Sequence, residues 1–291
     1  MTVLWGSALA IVVLGSACTV DEAPPRTSER AATQAIIAGE ASEPSEFRAT
    51  GMVVVLDRAR CTGTLIAPDV VLTAGHCLDK PKYGDFGFTL DSDATDGIDN
   101  IVHASVYHQH PSFDDGAEEF IDLSVRNDIG VLLLDEPILG VTPEQIEQPE
   151  DEVRVEPGVE LSLCGYGRLV WHTPVLPIKR DAQVFIDRSE SNEFLTTAVD
   201  PQPCSGDSGG PLFAETPNGR RLVGVVSRAF GRSLMCDTGA IITRIKPYDD
   251  WIYLASHDHN TGGCSAGGGG AALPMCLAGL LALRRRRRAA R

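Results

Sequence analysis

The sequence predicts an all-β protein, and three observations carry that prediction. Gly (29) and Pro (18) are abundant among the 291 residues, a density of turn-formers that suits many short strands better than helical bundles. The middle of the chain is a series of short runs rich in Val, Ile and Leu, and none of them continues with helical periodicity. Hydrophobic residues make up 43% and charged residues 22%, enough apolar surface for one large or two medium cores. That composition excludes a disordered tail protein, a collagen and a small disulfide-stapled scaffold.

Between residues 36 and 256 the strand candidates are Met52–Leu56, Thr64–Ile66, Val70–Thr73, Ile101–Tyr107 and Ile129–Leu134, then Val159–Leu163, Ala182–Ile186, Leu222–Ser227 and Ala240–Ile245. The Glu- and Pro-rich stretch Leu139–Gly158 reads as a connector between two halves. The clear helix candidate is late, at Tyr248–Ala255, where Trp251 and Ile252 read as core contacts. Evenly spaced short strands of this kind build barrels or sandwiches, and no internal repeat is visible.

Net charge is −15, and the last eight residues hold six Arg, so residues 1–283 carry 19 basic against 40 acidic side chains. A body that acidic repels phosphate backbones, which excludes nucleic acid as a partner.

Both ends read as addresses rather than fold. Residues 1–18 are almost wholly apolar and end in small residues, as a secretory signal does. Cys18 follows Leu14-Gly15-Ser16-Ala17, which resembles a bacterial lipoprotein cleavage box; lipidation of Cys18 and plain cleavage nearby both remain open. Residues 19–35 read as a linker or pro-segment. In the segment 257–291, a Gly-rich stretch precedes the apolar run 271–283 and five consecutive Arg. That run would span ~20 Å as a helix, short of the ~30 Å hydrocarbon core, and the Arg cluster would stay cytoplasmic. The tail resembles the C-terminal sorting signals of myxobacterial surface proteins, with Cys264 at the position of the cut; a simple anchor is the alternative. Membrane contact is therefore expected through the terminal segments before processing. Both ends agree on export to an oxidising compartment, where disulfides are allowed, with the product secreted or held at the cell surface.

The chemistry lies in three separated motifs. In Leu72-Thr73-Ala74-Gly75-His76-Cys77 an apolar strand runs into a small-residue turn and delivers His76 at its end. In Asn127-Asp128-Ile129-Gly130-Val131-Leu132 a carboxylate heads an apolar strand; burial there demands a partner for Asp128. In Gly206-Asp207-Ser208-Gly209-Gly210-Pro211 the Ser208 hydroxyl is surrounded by residues without bulk. Serine is a weak nucleophile until a base takes its proton. His76 is the candidate base and then acid, and Asp128 the group that holds its tautomer. The backbone N–H groups of Gly206 and Ser208 are the candidate donors to a developing oxyanion. Activity should rise with pH as the base becomes neutral.

These three motifs, in this order, resemble the trypsin/chymotrypsin-like serine endopeptidases over about residues 36–256. The resemblance implies two six-stranded antiparallel β-barrels, about 36–145 and 155–256, with the active site in the cleft between them and a C-terminal helix. It implies a protein or peptide substrate, no required cofactor and no catalytic metal, and a monomer is expected. Ile36-Ile37-Ala38-Gly39 resembles the family's mature start, which implies an activation pair between a freed Ile36 amine and Asp207. The bond cut would follow Ala35, so the activator would not be trypsin-like. The resemblance pairs Cys61 with Cys77 and Cys204 with Cys236, and leaves Cys164 free and buried. It places Gln202 at the floor of the specificity pocket and Ser227, Ala229 and Ala240 along its walls. Arg228 stands where many relatives have Trp, and Ser227 matches a residue that hydrogen-bonds the buried aspartate. An uncharged Gln202 points to a small or medium uncharged P1 residue.

Weaker signals have plainer readings. The segment Asp91–Asp99 holds four aspartates, and some relatives bind calcium in a loop of this region; its spacing is not that of an EF-hand, and a solvated acidic loop accounts for it. His103, His108 and His110 lie close in sequence, and His110-Pro111 matches a non-catalytic family stretch, which argues against zinc. The motif Gly206–Gly210 also satisfies G-x-S-x-G, the nucleophile elbow of α/β-hydrolases, with Asp249 and His257 following in that fold's order. That esterase reading needs βαβ units that the sequence does not show. A silent binding module of the same two-barrel fold is the other alternative.

Overall fold

A computed structural model describes residues 36, 39–43, 45–56, 58–78, 85–116, 123, 126–167, 178–199, 201–231 and 236–259. The candidate signal, linker and sorting segments, with Cys18 and Cys264, lie outside the described residues.

The turn-rich, strand-rich middle of the chain folds into two antiparallel sheets. The first contains β2 (Thr50–Val55), β3 (Arg58–Ala67), β4 (Val70–Thr73), β5 (Phe86–Thr89), β6 (Val102–Ala104), β7 (Val106–Gln109) and β8 (Gly130–Leu133), in the order β6-β5-β2-β3-β4-β8-β7. β6 and β7 are one strand interrupted at Ser105. There the N–H and Oγ both turn to the Asp135 carboxylate, each at 2.9 Å. Chain continuity between the two edge strands thus closes a six-stranded barrel. The second sheet holds β9 (Glu160–Gly165), β10 (Arg180–Ser189), β11 (Glu193–Thr196), β12 (Pro211–Thr216), β13 (Gly219–Ala229) and β14 (Ala240–Arg244), closed by the pairing of β10 with β9. A two-residue strand, β1 (Glu40–Ala41), adds to β10 at its edge. The all-β, two-barrel expectation therefore holds. One boundary moves: the start of the span assigned to the first barrel crosses over to the second. Ile36 is fully buried among Leu161, Leu163, Leu212 and Val223 of the second-barrel core.

The late helix is α1 (Asp249–Ala255), entered through a 3-10 turn at Lys246–Tyr248. Two acidic residues open it, Asp249 and Asp250, where they complement the helix dipole. It buries Ile252 and Ala255 against the first-barrel core, with Trp251 packed alongside. The same cluster takes in Val53, Leu65, Val71, Phe88 and Leu132 from the first barrel, and Phe213, Val225 and Ile245 from the second. The interface between barrels is thus continuous with a core. Arg220 strengthens it by stacking its guanidinium between the Phe47 and Phe213 rings, 4.5 Å from each centroid.

Phe213 is 1% exposed and sits where the two barrels meet. Phe213→Ala is expected to lower unfolding free energy by about 3–5 kcal/mol, read from the midpoint of a chemical denaturation curve. A loss below about 1 kcal/mol would mean that this interface is not a packed core.

Candidate active site

The first barrel brings a histidine and an aspartate to one end. β4 and β8 are antiparallel neighbours, with Thr73 opposite Gly130. The chain leaves β4 through Ala74 into a 3-10 turn, Gly75–Leu78, that carries His76. It enters β8 through Asn127 and Asp128, with Asn127 at a φ of 50°, a left-handed conformation that asparagine tolerates better than most residues. The Tyr248 hydroxyl donates to Asn127 Oδ1 at 3.1 Å, and Gln109 Nε2 donates to the Gly75 carbonyl at 2.8 Å. Both approaches to the site are therefore braced. The disulfide Cys61–Cys77 ties the His76 turn to β3.

Asp128 is 3% exposed and its carboxylate is saturated with donors. Oδ1 accepts the His76 backbone N–H at 2.8 Å, and Oδ2 accepts from His76 Nδ1 at 2.8 Å and from Ser227 Oγ at 2.6 Å. Burial alone pushes this carboxyl up, but the charge and hydrogen bonds of His76, with the Ser227 hydroxyl, hold it below the ordinary carboxylate range. An ionised Asp128 can only accept, so Nδ1 of the neutral ring carries the proton. That leaves Nε2 with its lone pair, as a proton-abstracting base requires. Ser227 reaches Asp128 because the β13–β14 register slips between Val226 and Arg228. A bulge there re-aims its side chain.

The second barrel supplies Ser208 on the turn that precedes β12. Its carbonyl accepts the Thr62 N–H from β3 at 2.8 Å and lies 3.7 Å from Cys77 Sγ, next to His76. Among the described residues Ser208 Oγ makes no hydrogen bond to the ring. Gly206 and Gly209 have φ of 105° and 81°. A Cβ on Gly209 would lie 2.1 Å from Thr73 Oγ1 and 2.2 Å from the Thr62 carbonyl, so only glycine fits between the barrels there.

The structure also exposes a residue that sequence reasoning missed. Thr62 is fully buried, and its Oγ1 donates to the Gly206 carbonyl at 2.9 Å while accepting the Tyr166 N–H at 3.2 Å. It is a strut from the first barrel to the Ser208 loop. Its place next to Cys61 was the available signal.

A cavity of about 150 Å³ opens beside Ser208, lined by Pro203, Val226, Ser227, Arg228, Ala229 and Ala240 among others. Of the four residues expected in the pocket, Ser227, Ala229 and Ala240 line it. Gln202 does not: it is 2% exposed, and its Oε1 accepts the Gly239 N–H at 2.6 Å behind the wall. Cys204–Cys236 closes the same region. Cys164 is a buried thiol, pushed by that burial up to about 12, which keeps it from acting as a nucleophile.

Asp207 is fully buried and accepts from the N–H groups of Gly167 at 2.7 Å and Cys204 at 2.9 Å. Burial pushes its carboxyl up to about 7 despite these two donors. The Ile36 nitrogen is peptide-bonded to Ala35 in this chain, so the amine of the expected activation pair does not exist in it.

The remaining candidates disperse. Asp91 accepts from Asp99 N at 2.8 Å and Asn100 Nδ2 at 3.2 Å, and Asp93 from Thr95 N at 3.0 Å and Thr95 Oγ1 at 2.8 Å. The loop's carboxylates thus serve its own backbone and side chains. His108 Nε2 meets the Asp258 carbonyl at 2.6 Å, whereas His110 packs edge-on against Tyr248 and Trp251. With His103 they form no convergent donor group among the described residues. The sulfurs beside His76 are locked in a disulfide, so that trio is no metal centre either. For the esterase reading, Asp249 pairs with Lys246 at 3.0 Å and His257 Nδ1 donates to the Tyr253 carbonyl at 2.7 Å. Two antiparallel sheets, with no βαβ unit among the described residues, overturn it.

Two antiparallel barrels with a histidine–aspartate couple beside a glycine-flanked serine define a serine endopeptidase of the two-barrel class. The family model described as "Trypsin" matches residues 36–252, and the chain belongs to that family. It is similar to chymotrypsin-C of Bos taurus, 30% identical over 223 residues that cover 67% of this chain and 77% of that protein. It is also similar to chymotrypsin-C of Rattus norvegicus, 26% identical over 84% of this chain and 95% of that one. Phenoloxidase-activating factor 1 of Holotrichia diomphalia is 27% identical over 75% of this chain and 68% of its own length.

Two outcomes test this geometry. Thr62→Val keeps the shape but removes both hydroxyl bonds, and is expected to lower stability by about 1–3 kcal/mol and kcat by about tenfold with little change in KM; wild-type kinetics would show that the strut is idle. Asp207 binds its proton up to about 7 when folded and only to the ordinary 3.8 when unfolded. The stability that Asp207 contributes to the uncleaved chain should therefore be full below about pH 4 and be lost as pH rises through about 7. The slope should be smaller in Asp207→Asn, as denaturation of an inactive Ser208→Ala background at several pH values would show.

Proposed function

We propose that this enzyme cleaves peptide bonds through an acyl-enzyme with Ser208 as nucleophile. Oγ bonds to the scissile carbonyl carbon as its proton passes to His76 Nε2, and the same proton then goes to the leaving amine. Water repeats the sequence to release the acid. Asp128 holds the imidazole and stabilises its charged form, and the N–H groups of Gly206 and Ser208 receive the oxyanion. The observation that carries this reading is the Asp128 carboxylate with its three donors, which holds the Nδ1 proton and leaves Nε2 as the basic nitrogen beside the Ser208 loop.

Maturation at Ile36 completes the site. Ile36 is buried at a φ of 40°, a conformation costly for a β-branched residue. That torsion includes the carbonyl carbon of Ala35, so cutting the Ala35–Ile36 bond abolishes it. The amine released would give the buried Asp207 carboxylate a cation, and with it a fixed Ser208 loop. The small side chains of Ala229 and Ala240 on the cavity wall, with the Arg228 charge paired to Glu193, favour a small or medium uncharged P1 residue. The terminal segments support export, followed by release or tethering through Cys18 or the C-terminal tail.

Processed protein treated with a fluorophosphonate should be labelled at Ser208, and N-terminal sequencing of the labelled form should begin at Ile36. His76→Ala should lose about 10⁵–10⁶-fold in kcat, with His257→Ala unchanged, and Ala, Val or Leu at P1 should outperform Lys, Arg and Asp. Processed but unlabelled protein would contradict the mechanism and leave a binding module of the same fold.

A further inference from the structure

We propose that Arg228 and Glu193 act as a positioning pair for the Asp128–His76 couple, through the hydroxyl of Ser227. The proposal rests on the catalytic reading above. Arg228 Nη1 donates to Glu193 Oε1 at 2.8 Å and Nη2 to Oε2 at 2.9 Å, a two-pronged grip between side chains 8% and 2% exposed. The same Nη1 donates to Ser227 Oγ at 3.2 Å. A guanidinium offers no acceptor, so in that contact Ser227 must accept. Its single proton is then committed to Asp128 Oδ2, 2.6 Å away. The result is a directed chain from Glu193 through Arg228, Ser227 and Asp128 to His76.

The backbone is built for it. Neighbouring side chains of a regular strand point to opposite faces, yet Ser227 and Arg228 bond to each other's polar atoms. The slip in register between Val226 and Arg228 permits this. Glu193 opens β11 opposite Thr243 of β14, and Thr243 Oγ1 donates to the Asp128 carbonyl at 3.1 Å. Arg228 also lines the cavity beside Ser208, which puts the pair between the substrate wall and the buried carboxylate. Other groups face the cluster. Arg126, lowered by burial and then by Arg228, feels Glu193, Asp114 and Asp128 as well. The Tyr248 phenol, raised mainly by burial, feels Glu193 and Asp128. Charge therefore alternates from Arg228 to Glu193 to Arg126. Glu193 balances the Arg228 charge that would otherwise oppose the imidazolium formed as Ser208 attacks.

Processed enzyme tests this with kcat and KM expressed per fluorophosphonate-titrated site. Wild type and His76→Ala come first: absence of labelling, or no loss in His76→Ala, defeats the catalytic reading itself. Glu193→Gln, which keeps the shape and leaves the Arg228 charge unbalanced, should move the acid limb of the kcat/KM profile to lower pH by about half a unit or more. It should cut kcat about tenfold with KM little changed. The double variant Glu193→Gln/Arg228→Gln should return the limb toward wild type. Should Glu193→Gln not fold, Arg228→Lys keeps the charge but loses the two-pronged grip on Glu193, and should lower kcat severalfold. An unmoved limb in Glu193→Gln, a limb that the double variant does not restore, or unchanged kcat in Arg228→Lys overturns the proposal while the catalytic reading stands.

Discussion

One buried negative charge organises this molecule. Taken from water with no partner, the Asp128 carboxylate would become neutral and could no longer fix the orientation of an imidazole. It stays ionised because it receives the His76 N–H, the His76 ring and the Ser227 hydroxyl together. Two of these donors come from the 3-10 turn that follows β4, and the third from a register slip in β13. The β4–β8 pairing, the left-handed Asn127 and the Thr243 bond to the Asp128 carbonyl have one effect in common. They hold that charge and its donors within hydrogen-bonding distance.

Neither barrel contains the site alone. The first carries His76 and Asp128, the second carries Ser208 and Ser227, and Thr62 crosses from one to the other to hold the Gly206 carbonyl and the Ser208 backbone. Packing at the interface is consequently part of the chemistry. Phe213, soon after Ser208 in the chain, and Arg220 pack with Phe47 where the two halves meet. The segment around Ile36, with Ile36 in the second-barrel core and β1 on β10, belongs to the barrel that carries the Ser208 turn.

Much of this was legible in the sequence. Short apolar runs such as Val70–Thr73 stand as read, because a buried strand in a closed barrel needs little besides β-branched and apolar side chains. β5 escaped notice because Gly87 interrupts a four-residue strand, and β12 because it begins at Pro211 within the nucleophile motif. Glu193 hid β11, since a buried charged residue at the head of a four-residue strand is not expected until its Arg228 partner is seen. The break at Ser105 depends on Asp135, thirty residues on, and no local pattern reveals it. At the site, His76, Asp128 and Ser208 stand out from their small and apolar surroundings. Thr62 and Glu193 do not, because their roles are defined only by partners far along the chain. The resemblance puts Gln202 at the pocket floor, whereas Ser227, Arg228, Ala229 and Ala240 line the cavity and the Gln202 side chain accepts the Gly239 N–H.

The central claim is that Asp128 dictates which ring nitrogen of His76 bears the proton. ¹⁵N NMR of histidine-labelled enzyme at a pH where the ring is neutral measures this directly. The account predicts a protonated Nδ1 with a strongly downfield N–H proton and an unprotonated Nε2, a pattern lost in Asp128→Asn. A neutral ring protonated at Nε2, or a Nδ1 proton indifferent to Asp128→Asn, would contradict it.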